Sequence, residues 1–184
     1  MKKSVLLAVA FTCGLYAQGR GGGGPVTLSA DLNRAYSSIK TNLTKAAEDM
    51  PEDGYSLQPS KEERNFGAWV AHVADAQAGT CSAIAGERKN IGAASKTSKA
   101  DLIAALKESF DICDPVFEGT NDTNATQLVP SFAGQVPRVS ALYGVVVHSN
   151  ECYGNMAVYL RLKDVVPPST AAMGRGRGGM KKKE

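Results

Sequence analysis

Histidine is scarce in this sequence, with two in 184 residues, His72 and His148. Imidazole chemistry must therefore use one or both of them. Aromatic residues make up only 7% and tryptophan occurs once, too few to interleave with basic residues in a base-stacking surface. Nucleic acid is not an expected partner. No apolar run reaches the roughly 18 residues of a membrane-spanning helix; the main one follows Lys2 and Lys3 and covers about a dozen residues, the length of a signal-peptide core. No segment alternates apolar and polar residues over a useful length, which argues against half-buried strands.

Net positive charge is missing from the body of the chain. Of a net +3, the last segment MGRGRGGMKKKE holds +4 and the first seventeen residues +2, leaving −3 between them. The basic balance is thus a property of the ends. Residues 1–17, MKKSVLLAVAFTCGLYA, have the layout of a secretory signal: lysines, an apolar stretch, then the small residue Ala17. Residues 18–27 are a glycine-rich flexible lead-in, and residues 170–184 a disordered basic tail. The chain is expected to be exported, periplasmic or extracellular.

What is present is apolar residues at helical spacing. With 43% hydrophobic content the chain suits one compact domain over residues 28–169. Leu32, Tyr36, Ile39, Leu43, Ala47 and Met50 recur every three or four positions, an amphipathic helix begun at Ser29 and stopped before Pro51. Ser60 with Glu63 has the form of a capping box opening a second helix, with Phe66, Trp69, Val70, Val73, Gln77, Cys81 and Ile84 on its inner stripe. A third helix starts at Ser98 and Asp101 and buries Leu102, Leu106, Phe110 and Cys113. Residues 120–136 lack a helical period and form a long loop that covers one end and lines a site. A fourth helix runs from Pro137 to about Val166 along Leu142, Val145, Ser149, Cys152, Met156 and Leu160. The fold class is all-α, a four-helix bundle with its site between facing helices.

His148 and Cys152 are four residues apart and so stack on one face of the fourth helix, while His72 flanks the stripe of the second. Two imidazoles and a thiolate make three-quarters of a tetrahedral zinc-type site with one position open. The competing reading is two hydrogen-bonded histidines and a small buried thiol. Asp75, a turn beyond His72, is either an orienting partner for that ring or a surface carboxylate.

Without the signal the cysteines number three: Cys81, Cys113 and Cys152. Cys81 and Cys113 lie at equal depth from the ends of the second and third helices, so they are level only if those helices run parallel. In an antiparallel hairpin they would be about 15 Å out of step. A disulfide between them therefore implies an up-down-down-up bundle, with the link from Lys89 to Thr97 crossing its length; the alternative is two reduced core thiols. In that topology the second and fourth helices are antiparallel, which brings His72 and Cys152 to similar heights.

The run AAEDMPEDGYSLQPSKEERNFGAWVAHVAD, followed by KADLIAALKESFDICD and HSNECYGNMAVYLRLKDVVPPS, resembles the DinB-like superfamily, in particular its exported bacterial branch, over roughly residues 30 to 169. The resemblance implies an up-down-down-up bundle with a divalent metal held by three histidines, one on helix two and an H-x3-H pair on helix four. His72 and His148 match the first two positions. Cys152 stands at the third, a departure that favours zinc over nickel or manganese. Known activities in the superfamily include thiol transfer, isomerisation and hydrolase-like reactions. Export argues against reduced-thiol cofactors, leaving metal-assisted hydrolysis or transfer on an unknown small molecule, or a non-catalytic metal- or ligand-binding bundle with a degenerate site. A homodimer is left open.

Overall fold

The computed structural model describes residues 27–177, so the signal of residues 1–17, nearly all of the lead-in and the last seven residues lie outside the described part. Five helices and one two-stranded hairpin follow in order: α1 (Leu28–Asp49), α2 (Phe66–Ile84), α3 (Lys99–Glu118), β1 (Leu128–Ser131), β2 (Gly134–Pro137), α4 (Arg138–Leu162) and α5 (Pro168–Arg177). The protein is mostly helical. None of the described helices is long and apolar enough to cross a membrane.

Side chains cap the first N–H groups of α1, α2 and α3, and at the start of α4 the Arg138 and Val139 N–H groups donate to the Gln127 and Ala125 carbonyls. Thr27 rather than Ser29 caps α1, accepting from the Ala30 N–H at 3.1 Å. α2 begins later than the capping-box pattern suggests. Ser60 and Glu63 close only a turn, and Asn65 Oδ1 caps α2 by accepting from Ala68 N at 2.7 Å. Ser98 caps α3 through the Asp101 N–H, and its hydroxyl also donates to the Asp101 carboxylate.

Contacts between helices set their directions. Gly67 faces Leu102, Gln77 Nε2 donates to Ser109 Oγ at 3.3 Å, and Cys81 is joined to Cys113 by a disulfide, so positions along α2 and α3 climb together. Across α1 and α3 the order reverses. Tyr36 stacks on Phe117 at 3.7 Å between ring centroids, whereas Lys99 at the start of α3 donates to the carbonyls of Glu48 and Met50 at the end of α1. α2 and α4 also oppose each other, Phe66 lying near Tyr159 and His72 against His148.

Two stretches differ from the sequence-based expectation. The long loop contains an antiparallel hairpin with Val129 paired to Val136 and Ser131 to Gly134. Gly134, at φ +96°, supplies the left-handed backbone that closes the turn, and buried Val129 packs it onto the core. The tail is helical from Pro168 to Arg177 rather than disordered from residue 170. Pro168 suits a first helical position, and the Tyr153 hydroxyl holds the start of α5 by donating to Ser169 Oγ and accepting from Ser169 N, both at 2.9 Å.

Candidate metal site

α2 carries His72 about two turns after its cap, and α4 carries His148 and Cys152 one turn apart on its inward face. Because the two helices run in opposite directions, the three side chains meet. His72 Nε2 lies 3.0 Å from His148 Nε2, and Cys152 Sγ lies 3.6 Å from the same His148 nitrogen. All three donor atoms fall within 4.8 Å of one another. The imidazoles are half-buried and Cys152 is buried.

These spacings can be tested against a metal. With Zn–N near 2.05 Å and Zn–S near 2.3 Å, a tetrahedral ion separates two nitrogens by about 3.3 Å and a nitrogen from a sulfur by about 3.6 Å. Two of the three edges, 3.0 and 3.6 Å, match to within a few tenths of an ångström, and the third, from His72 to Cys152, is within 4.8 Å. Donor chemistry agrees, since neutral imidazole and thiolate are both zinc ligands. The residues present fit the ion.

Electrostatics favour the neutral forms of His72 and Cys152. Burial, then the nearby positive charges of Arg64 and His148, pull the His72 pKa below its ordinary value, against a weaker opposing pull from Asp75. Burial and then Glu151 push the Cys152 thiol up to about 11, with Arg64 opposing. Trp69 meets His72 edge-on at 6.0 Å, and the Arg64 guanidinium lies over the indole ring at 4.9 Å. Asp75 makes no hydrogen bond to His72. Its two oxygens instead accept from Ala93 N at 2.8 Å and Ala94 N at 2.9 Å, fastening the link between α2 and α3. Glu151 is exposed.

A cavity of about 570 Å³ opens beside the cluster, bounded by α2, α4 and the hairpin. His72 and His148 form part of its wall and Cys152 does not, so the imidazole side of the cluster meets open volume. Gln77, which also lines the cavity, is buried and joins three helices: its amide donates to Ser109 Oγ, and its Oε1 accepts from Ser149 at 3.5 Å.

A family profile for the DinB superfamily matches residues 35–154, which include the whole cluster. The chain belongs to the DinB superfamily. Among solved structures, a DinB-like protein from Bacillus cereus matches with TM-score 0.66 and 14% identity, over 76% of this chain and 95% of that one. A DinB-like protein from Bacillus subtilis matches with TM-score 0.58 and 16% identity, over 73% and 92%. At these identities the likeness is one of fold. No curated protein matches the chain in sequence.

In this DinB-superfamily chain the structure brings together His72, His148 and Cys152, while Asp75 is neither an orienting partner of His72 nor a free surface carboxylate but a backbone clamp. Sequence reasoning anticipated that residues 120–136 line the site and that Gln77 faces inward, but it missed the strand pairing within that loop and the hydrogen bonds of Gln77 across three helices. A glutamine on an otherwise apolar helical stripe was the available signal for the latter, since a buried amide must find partners.

Proposed function

We propose that His72 Nε2, His148 Nε2 and Cys152 Sγ hold one divalent cation, zinc in preference, and that the site serves metal-assisted hydrolysis or group transfer on a small molecule in the adjoining cavity. The observation that carries this is the pair of donor separations, 3.0 and 3.6 Å, on helices far apart in sequence. A zinc ion there would act as a Lewis acid, polarising a substrate oxygen or lowering the pKa of a water. The chain's own part is to present two imidazoles to open volume, to keep the thiol ligand behind them out of solvent, and to confine a substrate between α2, α4 and the hairpin.

The same reading includes an up-down-down-up order for α1 to α4, supported by the contact directions above, and export, supported by the Cys81–Cys113 disulfide and the leader-like residues 1–17. The bundle of residues 28–169 would then act without the leader or lead-in.

One observation favours a binding protein over an enzyme: no carboxylate lines the cavity to serve as a general base. The two readings separate on hydrolysis of chromogenic esters by the zinc-loaded chain. Turnover that disappears in His72→Ala supports the enzyme, and none above the metal-free background in the wild type supports the binder.

A further inference from the structure

The cavity is a long slot rather than a round pocket. Its floor on α2 runs from His72 through Ala76 and Gly79 to Ala83, about 16 Å at the helical rise, and its facing wall on α4 runs from His148 through Gly144 and Ala141 to Ser140, about 12 Å. Between the ends, Ala76, Gly79, Ala83, Ala141 and Gly144 keep the slot wide, with Gln77 and Val145 the larger side chains on these two walls. A Cβ added at Gly79 or at Gly144 would meet no atom within 4 Å, so the absent side chains leave room that nothing else fills. Val136 and Pro130 of the hairpin close the third side, and Phe132 at the hairpin tip is 99% exposed at the rim, an apolar ring with no partner among the described residues.

The ends of the slot differ. The cluster of His72 and His148 stands at one. At the other is Arg88, the sole Asp, Glu, Lys or Arg side chain lining the slot, and it makes no ion pair among the described residues. An apolar channel with small-residue walls and an unpaired guanidinium at the far end complements one kind of molecule.

We propose that the slot binds an amphipathic small anion: an extended apolar chain lying over Gly79 and Gly144, its negative head at Arg88 and its other end at the histidines. Only the last clause rests on the metal reading; the chain and head positions stand on the slot itself. Phe132 folds over the bound chain. The substrate class is therefore a medium-length chain with an anionic terminus, reacting at the end remote from the charge.

The test is calorimetric titration of the full chain with decanesulfonate, whose head is a poor metal ligand, alongside butanesulfonate and decyltrimethylammonium, with zinc content measured on every preparation. Decanesulfonate is expected to bind one to one and to exceed both controls. Gly79→Leu and Gly144→Leu each fill the slot and weaken binding at least about tenfold, while zinc content stays at the wild-type level. Arg88→Gln weakens it up to about fivefold, as for an exposed charge pair, and removes the preference over the cationic probe. Leucine variants that bind like wild type, a cationic probe that binds equally well, or a dimer that dissociates on Gly144→Leu without decanesulfonate uptake would each overturn the proposal. A chain that takes up no zinc yet binds decanesulfonate with this variant pattern removes the metal reading and keeps the slot. A zinc-replete chain indifferent to decanesulfonate does the reverse.

Discussion

The Nε2 atoms of His72 and His148 face each other across 3.0 Å although 76 residues separate them in sequence. Without a cation, one ring must donate a proton to the other, because two bare nitrogens or two protonated rings would repel at that distance. Cys152 completes a triangle around the same point. The arrangement suits a single proton or a single cation between the rings, and several outcomes follow from it.

Zinc affinity should rise with pH. The Cys152 thiol is held protonated up to about 11 by burial, while His72 is held neutral below its ordinary pKa. Binding therefore expels close to one proton, from sulfur, and the apparent association constant should increase about tenfold per pH unit between pH 7 and 9. Titration calorimetry in buffers of different ionisation enthalpy measures both quantities. An affinity flat across that range contradicts thiolate ligation.

Cys152→Ala should cost more than the roughly 100-fold in zinc affinity that loss of a merely orienting residue produces. Cys152→His restores the three-nitrogen set implied by the family resemblance and should keep the ion. With cobalt as the probe, the wild type should show a sulfur-to-metal charge-transfer band and Cys152→His none. Equal spectra for the two would remove sulfur from the ligand set.

The disulfide between Cys81 and Cys113 closes a loop of 32 residues between α2 and α3. Replacing both with alanine frees that loop in the unfolded chain and should lower stability by about 3–4 kcal/mol, seen as a fall of roughly 10 °C in melting temperature. Three free thiols in the exported, unreduced protein would show that the bond does not form there.

Asp75→Ala should uncouple the link after α2 while sparing the cluster. Two backbone N–H groups, of Ala93 and Ala94, lose a carboxylate acceptor, at a cost of about 1–3 kcal/mol. Denaturant unfolding measures the loss, and zinc content should not change. A fall in zinc content comparable to that of His72→Ala would mean that Asp75 orients the ring after all.

Helices and cluster were legible from the sequence for one reason: burial here follows the helical period. Leu32, Tyr36, Ile39 and Leu43 are buried in α1 as spaced, and Leu142, Val145, Ser149 and Cys152 in α4. The opposed directions of α2 and α4 then bring residues at equal depth, His72 and Cys152, to one level. Where local signals compete, the sequence was ambiguous. Ser60 and Glu63 imitate a capping box, but Asn65, directly before buried Phe66, supplies the acceptor that starts α2. The hairpin strands are four residues each and contain Pro130 and Pro137, too short for alternation to register. Their pairing is set by Gly134 and by Val129 packing on the bundle. Asp75 was placed one turn from His72, yet its carboxylate finds two backbone donors in the link after α2. α5 escaped notice because its start depends on Tyr153, fifteen residues before Pro168.

The most direct measurement is zinc stoichiometry with X-ray absorption at the zinc edge, on protein purified without chelators. One ion per chain with two nitrogen neighbours near 2.0–2.1 Å and one sulfur near 2.3 Å is the expected result. Zinc absent after the chain has been offered the ion, or zinc bound with no sulfur neighbour, would contradict it.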